Sequence, residues 1–261
     1  MSETGSKPGR GARGGGRARG TEPGEGRGRR LRLLGVAVLL AVLVVAGGVW
    51  LSSRGGDPAR STGGGAAGAG GEEPAVVAGI PQNGMTLGDP DAPATLVEFV
   101  DLQCPFCRDY SRDVMPTMVD RYVRPGRMKI ELRVLSFLGP DSQVAARFAA
   151  AAALQDHAFD VVEELFARQG AENSGWVTDP LMREIAEGVP GLDAERALAD
   201  RSSRRAQMVL LRSERAAQRA VIEGTPSFLI AIDGEDARPL EVERLDPAAF
   251  TAALDEALGT P

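Results

Sequence analysis

Residues 33–51 read LLGVAVLLAVLVVAGGVWL, nineteen positions without a charge. As a helix rising about 1.5 Å per residue, this run is about 28 Å long, close to the hydrocarbon core of about 30 Å. The apolar region of a secretory signal is usually about 7–15 residues, and no small-x-small cleavage site follows promptly at Ser52-Ser53-Arg54. Trp50 sits where an interfacial aromatic belongs. An uncleaved transmembrane helix is expected, with a cleaved signal as the alternative.

From Met85 onward the apolar periods change. Met85-Thr86-Leu87 reads as a short edge strand and Thr95–Val100 as a buried strand. Tyr110, Val114, Met115, Met118 and Val119 recur at helical spacing, so one helix is expected from about Pro105 to Tyr122. MKIELRVL, Met128–Leu135, alternates as a second main strand. A long helical block follows, with pieces at Ser142–Leu154, Ala158–Arg168, Asp179–Glu187, Asp193–Ala199 and Arg201–Glu223. Ser227–Ile232 is then a strand, and Arg238–Val242 its hairpin partner after Asp233-Gly234-Glu235-Asp236. Asp246 caps a last helix, Pro247–Leu258. The order is β-α-β, helical block, β-β-α. An α/β sheet core interrupted by a helical insertion is the simplest architecture for it.

Charge separates the ends. Residues 1–32 carry nine basic side chains against three acidic ones, while the whole chain is −6. The Gly-rich arm contains no plausible core and lacks the aromatic interleaving or fold of a nucleic-acid binder. It reads as a disordered cytoplasmic flank of the apolar segment. The acidic remainder argues against nucleic acid or anionic lipid as a ligand. The expected organisation is a basic arm at 1–32, a transmembrane helix at 33–51, a Gly/Ala-rich linker at 52–83 and a domain at 84–259, with the helical insertion at about 141–223. The linker is too short and too poor in apolar residues to be a dimerisation domain, so a monomer is expected.

The chain holds two cysteines, Cys104 and Cys107, at the end of the run LVEFVDLQCPFC and at the start of a helical pattern. A strand delivering Cys-x-x-Cys to a helix N-terminus is a setting for thiol redox chemistry, because unpaired N–H groups and the helix dipole favour a thiolate. Structural zinc normally needs four Cys/His ligands, and one histidine, His157, is present. Arg108 stands where a c-type haem motif requires His, and an iron–sulfur cluster would need four thiolates. No metal site is expected. An inert bridge would close a very short loop and stabilise little. Glu98 lies in the strand six residues earlier. It is either a buried carboxyl with a raised pKa, suited to carry a proton, or a solvated group at a sheet edge. Thr225-Pro226 marks a strand boundary, and by spacing alone a cis bond there is the minority form. His157 is expected on the surface at a helix boundary.

The stretch TLGDPDAPATLVEFVDLQCPFCRDY, residues 86–110, resembles the start of a DsbA-like thiol–disulfide oxidoreductase domain. GTPSFLI, residues 224–230, resembles that family's cis-proline segment. The resemblance covers about 85–256. It implies a thioredoxin fold with an inserted helical subdomain, a cis Pro226 with Thr225 beside the active site, and a functional Glu98. It implies no cofactor beyond the Cys104–Cys107 disulfide, exported thiol proteins as substrates, and a membrane quinone-linked thiol oxidase as redox partner. One departure is Pro105-Phe106 between the cysteines, where the most strongly oxidising members carry Pro-His. Phe106 donates no hydrogen bond to Cys104, so a less oxidising couple is expected. The overall expectation is a single-pass membrane protein whose extracytoplasmic domain donates disulfides. The alternatives are a reductase or isomerase, or a non-enzymatic thioredoxin-fold binding module at the membrane surface.

Overall fold

The computed structural model describes residues 76–259. The basic arm, the apolar segment 33–51 and the linker as far as residue 75 lie outside the described residues. Among the described residues no helix is long and apolar enough to cross a membrane.

Six strands form one sheet: β1 (Gln82–Asn83), β2 (Thr86–Leu87), β3 (Ala94–Asp101), β4 (Met128–Leu135), β5 (Ser227–Ile232) and β6 (Arg238–Pro239). Their spatial order is β1-β2-β4-β3-β5-β6, with β3 and β4 parallel and every other pair antiparallel. Between β3 and β4 run α1 (Pro105–Asp113), α2 (Met115–Met118) and a π turn at Val119–Val123. Between β4 and β5 lies the insertion: α3 (Pro140–Ala153), α4 (Ala158–Ala167), α5 (Asp179–Gly188), α6 (Ala194–Asp200) and α7 (Arg204–Ala220). The last helix is α8 (Pro247–Ala257).

β3 is central and almost wholly buried, and its alternation sorts two faces. Val97 and Phe99 join Leu135 and Ala217 in a small cluster under α7. Leu96 and Val100 join the large core that includes Tyr110 and Phe250 from α1 and α8. Glu98 shares the parity of Leu96 and Val100, so the pleat aims it into the large core. β4 alternates as expected, with Met128, Ile130, Leu132 and Val134 buried and Lys129, Glu131 and Arg133 part-exposed. In α3 the run Ala149–Ala153 is buried, and such small side chains let neighbouring helices approach closely. Side-chain oxygens of Thr178, Asp193, Ser203 and Asp246 cap α5, α6, α7 and α8.

Four expectations are corrected. The single helix over Pro105–Tyr122 is broken at Val114, because Pro116 has no N–H and its ring crowds the carbonyl of Arg112. Met85–Leu87 is not the sheet edge; β1 pairs outside β2. The packed chain starts before residue 84, since Val77 is buried in the core and Gln82 bonds both Asp160 and the Phe159 N–H. The hairpin partner expected over Arg238–Val242 is only two residues long, and Pro239 lacks the donor a longer ladder needs.

Candidate active site

β3 ends at Asp101, and three residues later the chain enters α1. Cys104 is its N-cap, in extended backbone, and no side chain caps the helix. Pro105 takes the first helical position, where the missing N–H costs nothing. The Cys104 N–H donates to the Asp101 carbonyl (3.0 Å), and the Arg108 N–H donates to the Cys104 carbonyl (3.2 Å). Both cysteines are free thiols, Cys107 fully buried and Cys104 nearly so. In its protonated form the Cys104 thiol donates to the Thr225 carbonyl (3.2 Å), and the Thr225–Pro226 bond is cis. Chain segments 121 residues apart thus meet at one sulfur.

The two thiols differ in acidity. A hydrogen bond from Cys107 lowers Cys104 from an ordinary 9 to about 6; burial opposes it, and the Thr225 side chain and the N–H groups of Cys107 and Phe106 add to it. Cys107 is pushed upward, first by burial and then by Cys104 beside it. Near neutral pH the proton therefore sits on Cys107 and the charge on Cys104, at the positive end of α1.

Glu98 lies behind this pair and is buried, not solvated at an edge. Burial raises its carboxyl to about 7, and the bond from Tyr110 works in the other direction. The Tyr110 hydroxyl donates a short hydrogen bond to Glu98 Oε1. Tyr110 itself is raised well above its ordinary value, by burial first, then by the charge of Glu98 and its bond, and then by Cys107. Its ring packs on Phe228 and Phe250 with centroids 4.8 and 5.3 Å away. Tyr110 was visible only as an apolar helical position. Its offset of three residues from Cys107, which puts both on one helix face, was the available signal.

A polar clasp around the loop was not anticipated. Asp101 is fully buried and accepts four hydrogen bonds: Gln103 N–H (2.9 Å) and Ser142 hydroxyl (2.6 Å) on Oδ1, and Phe137 and Leu138 N–H (3.1 and 3.2 Å) on Oδ2. The buried Gln103 amide donates to Ser142 Oγ and Asn173 Oδ1 and accepts from the Asn173 N–H. Gln169 donates to the carbonyls of Leu102 (2.9 Å) and Cys104 (3.2 Å). Side chains of the helical insertion thus hold the backbone that presents Cys104.

Phe106, Phe137 and Val221 are more than half exposed. A groove of about 390 Å³ has a mixed lining, with Val221, Phe228 and Leu229 beside Pro226 and with Glu223, Ser227 and Glu241. An adjoining one of about 450 Å³ is lined by Leu135, Phe137, Ala217 and Val221. His157 is the N-cap of α4 and bonds Asp160 through Nδ1 (2.9 Å).

The thioredoxin family model matches residues 81–256. A protein of Bacillus anthracis named "Probable disulfide bond formation protein D" is 29% identical over 160 residues, covering 59% of this chain and 72% of that protein. The crystal structure of oxidised BdbD from Bacillus subtilis superposes with a TM-score of 0.58 at 22% identity, covering 69% of this chain and 97% of that one. A thioredoxin-like oxidoreductase from Silicibacter pomeroyi superposes with a TM-score of 0.52 at 27% identity, covering 70% and 94%.

Proposed function

The chain belongs to the thioredoxin family as a DsbA-like thiol–disulfide oxidoreductase, and we propose that it donates disulfides to exported proteins through Cys104 and Cys107. The observation that carries this reading is the inequality of the two sulfurs. Cys104 titrates at about 6 at a helix start, and Cys107 is raised and shut behind it. A thiol of low pKa is a good leaving group, so a disulfide that contains it is readily given away.

The exchange runs in two steps. A substrate thiolate attacks the Cys104 sulfur of the oxidised pair; the Cys104–Cys107 bond breaks, and Cys107 leaves and takes a proton. A second substrate thiolate then attacks the substrate sulfur of the mixed disulfide. A substrate disulfide forms, and Cys104 leaves as a thiolate held by the helix N-terminus. Two electrons pass from the substrate thiols to the pair. Glu98 supplies or accepts the Cys107 proton. The backbone at Thr225-Pro226 pairs with extended substrate as an added strand, and the groove of mixed lining that includes Pro226 receives its side chains.

In this reading residues 33–51 hold the protein in the cell membrane, with the basic arm in the cytoplasm and the domain outside. A membrane quinone-linked thiol oxidase returns the pair to the disulfide, and the protein works as a monomer with no further cofactor. The test is a Cys107→Ala variant of the full chain in its own cells. Cys104 is expected to accumulate mixed disulfides with exported proteins that a Cys104→Ala/Cys107→Ala variant does not form. If Cys107→Ala captures none, the disulfide-donor reading fails.

A further inference from the structure

The arginines of α7 are Arg204, Arg205, Arg212, Arg215 and Arg219, and its one acid is Glu214. At about 3.6 residues per turn, these arginines fall within one arc of roughly 100°, with Met208 near its middle. Ala206, Ser213 and Ala217 lie on the far side and are buried, and Ala217 packs with Val97, Phe99 and Leu135. The arginines of the arc and Met208 are all exposed. Among the described residues none of these arginine side chains has an ion-paired or hydrogen-bonded partner. Arg201, just before the helix, does pair with Asp179 (2.6 Å). Glu214 stands outside the arc, on the flank that lines a groove with Phe137 and Val221.

We propose that this face of α7 docks on anionic phospholipid headgroups at the surface of the membrane that holds the chain. The proposal rests on residues 33–51 being a membrane anchor. Two observations choose the occupant. The first is the tether. Residues 52–75 stand between the apolar segment and the described domain, and fully extended they span at most about 85 Å. The domain therefore stays near the bilayer, and a weak contact suffices because it forms within one tethered molecule. The second is charge. Guanidinium groups match phosphate oxygens, and each basic side chain near an anionic leaflet strengthens the attraction about fivefold. Met208, in the middle of the arc, is the apolar group that enters the headgroup layer.

The chain beyond the basic arm is acidic overall, which argues against an anionic ligand for the domain as a whole. At physiological salt, charges farther away than about 8 Å are largely screened, so a face acts through its own side chains. Simple solvation explains this face poorly. Arg204 and Arg205 stand in the first turn, at the positive end of the helix dipole, where a cation is disfavoured. Arg215 and Arg219 are one turn apart and repel each other. An anionic surface laid along the helix relieves both costs. The chain runs directly from the end of α7 at Ala220 to Thr225-Pro226, so docking along α7 also fixes how the cis-proline segment stands to the bilayer.

The test uses the full chain with Cys104→Ala/Cys107→Ala and one new cysteine, Met208→Cys, bearing a fluorophore. A second labelled chain carries Ala252→Cys instead, on α8 against the opposite face of the sheet. Each is reconstituted in vesicles of phosphatidylcholine, alone or with about 30% phosphatidylglycerol, with a nitroxide on a small share of the headgroups. At about 0.05 M salt, quenching at position 208 is expected to be about threefold stronger in the anionic vesicles, and the difference is lost at about 0.5 M salt. Position 252 shows no such difference. Replacing Arg204, Arg205, Arg212, Arg215 and Arg219 together with Gln abolishes the effect, and replacing them with Lys keeps most of it. Circular dichroism melts of both variants match the parent. Equal quenching at 208 in the two lipids at low salt overturns the proposal and leaves the face to solvent or to an acidic protein. A lipid difference that survives in the Gln variant overturns it too, because another surface then makes the contact. A chain that does not float with neutral vesicles at high salt overturns the anchored reading itself, and the docked face with it.

Discussion

At Cys104 one hydrogen bond outweighs burial, and that balance is open to measurement. The thiolate fraction, followed by its ultraviolet absorbance or by alkylation rate, should titrate near 6. In Cys107→Ala the donor is gone, and the midpoint should move back toward the ordinary range. An unchanged midpoint would assign the shift to the helix start alone. A lowered acid pKa means that the folded reduced form holds its proton less tightly than the unfolded chain. Cys104 therefore stabilises the folded reduced form at alkaline pH, and this support is lost as pH falls from about 9 through about 6. Glu98 has the opposite sign. Its carboxyl is raised from 4.5 to about 7, so folded-state stability fades as pH rises across that window. Glu98→Gln should leave stability unchanged near pH 4 and raise it by on the order of 3 kcal/mol at pH 8, as read by denaturant unfolding. Equal stability of variant and wild type at both pH values would mean that burial does not raise the Glu98 carboxyl above its ordinary value.

Elements were legible where one period dominated. β4 and β5 occupy the spans their apolar patterns indicated, and α3 to α8 begin and end within a few residues of the expected bounds. The break in the helix behind the cysteines is written in Pro116, but the apolar spacing continues across it and masks the break. The clasp around Asp101 was not legible. Its partners Ser142 and Asn173 are 41 and 70 residues from the residues they bind, and no local period marks a polar contact between distant elements. Cys104, Cys107, Glu98 and Thr225-Pro226 are legible in the sequence, but Tyr110 acquires meaning only when the fold sets its hydroxyl against Glu98. The clasp carries its own prediction. Asp101→Ala leaves three N–H groups and the Ser142 hydroxyl without their acceptor, so unfolding should become easier by about 3 kcal/mol or more. Ser142→Ala removes one donor from a filled carboxylate and should cost about 1 kcal/mol.

Over the whole molecule, the described chain packs from Val76 onward, and the sheet edge depends on that beginning. A chain starting at residue 84 loses buried Val77 and both bonds of Gln82. It should be less stable than a chain starting at residue 76 by about 2–4 kcal/mol in matched denaturant curves. Equal stability would place the functional boundary at 84 after all. The fold sets a thiol of low pKa at one helix start and a buried carboxyl in the core of the same sheet, and the low pKa of Cys104 favours giving a disulfide over removing one. Phe106 is the feature that pulls the other way, since it offers Cys104 no side-chain hydrogen bond. The equilibrium reduction potential of the Cys104–Cys107 pair, measured in glutathione buffers on the full chain, weighs these against each other directly. The donor assignment predicts a value between about −120 and −200 mV; a value at or below about −250 mV, in the range of a reductant, would contradict it.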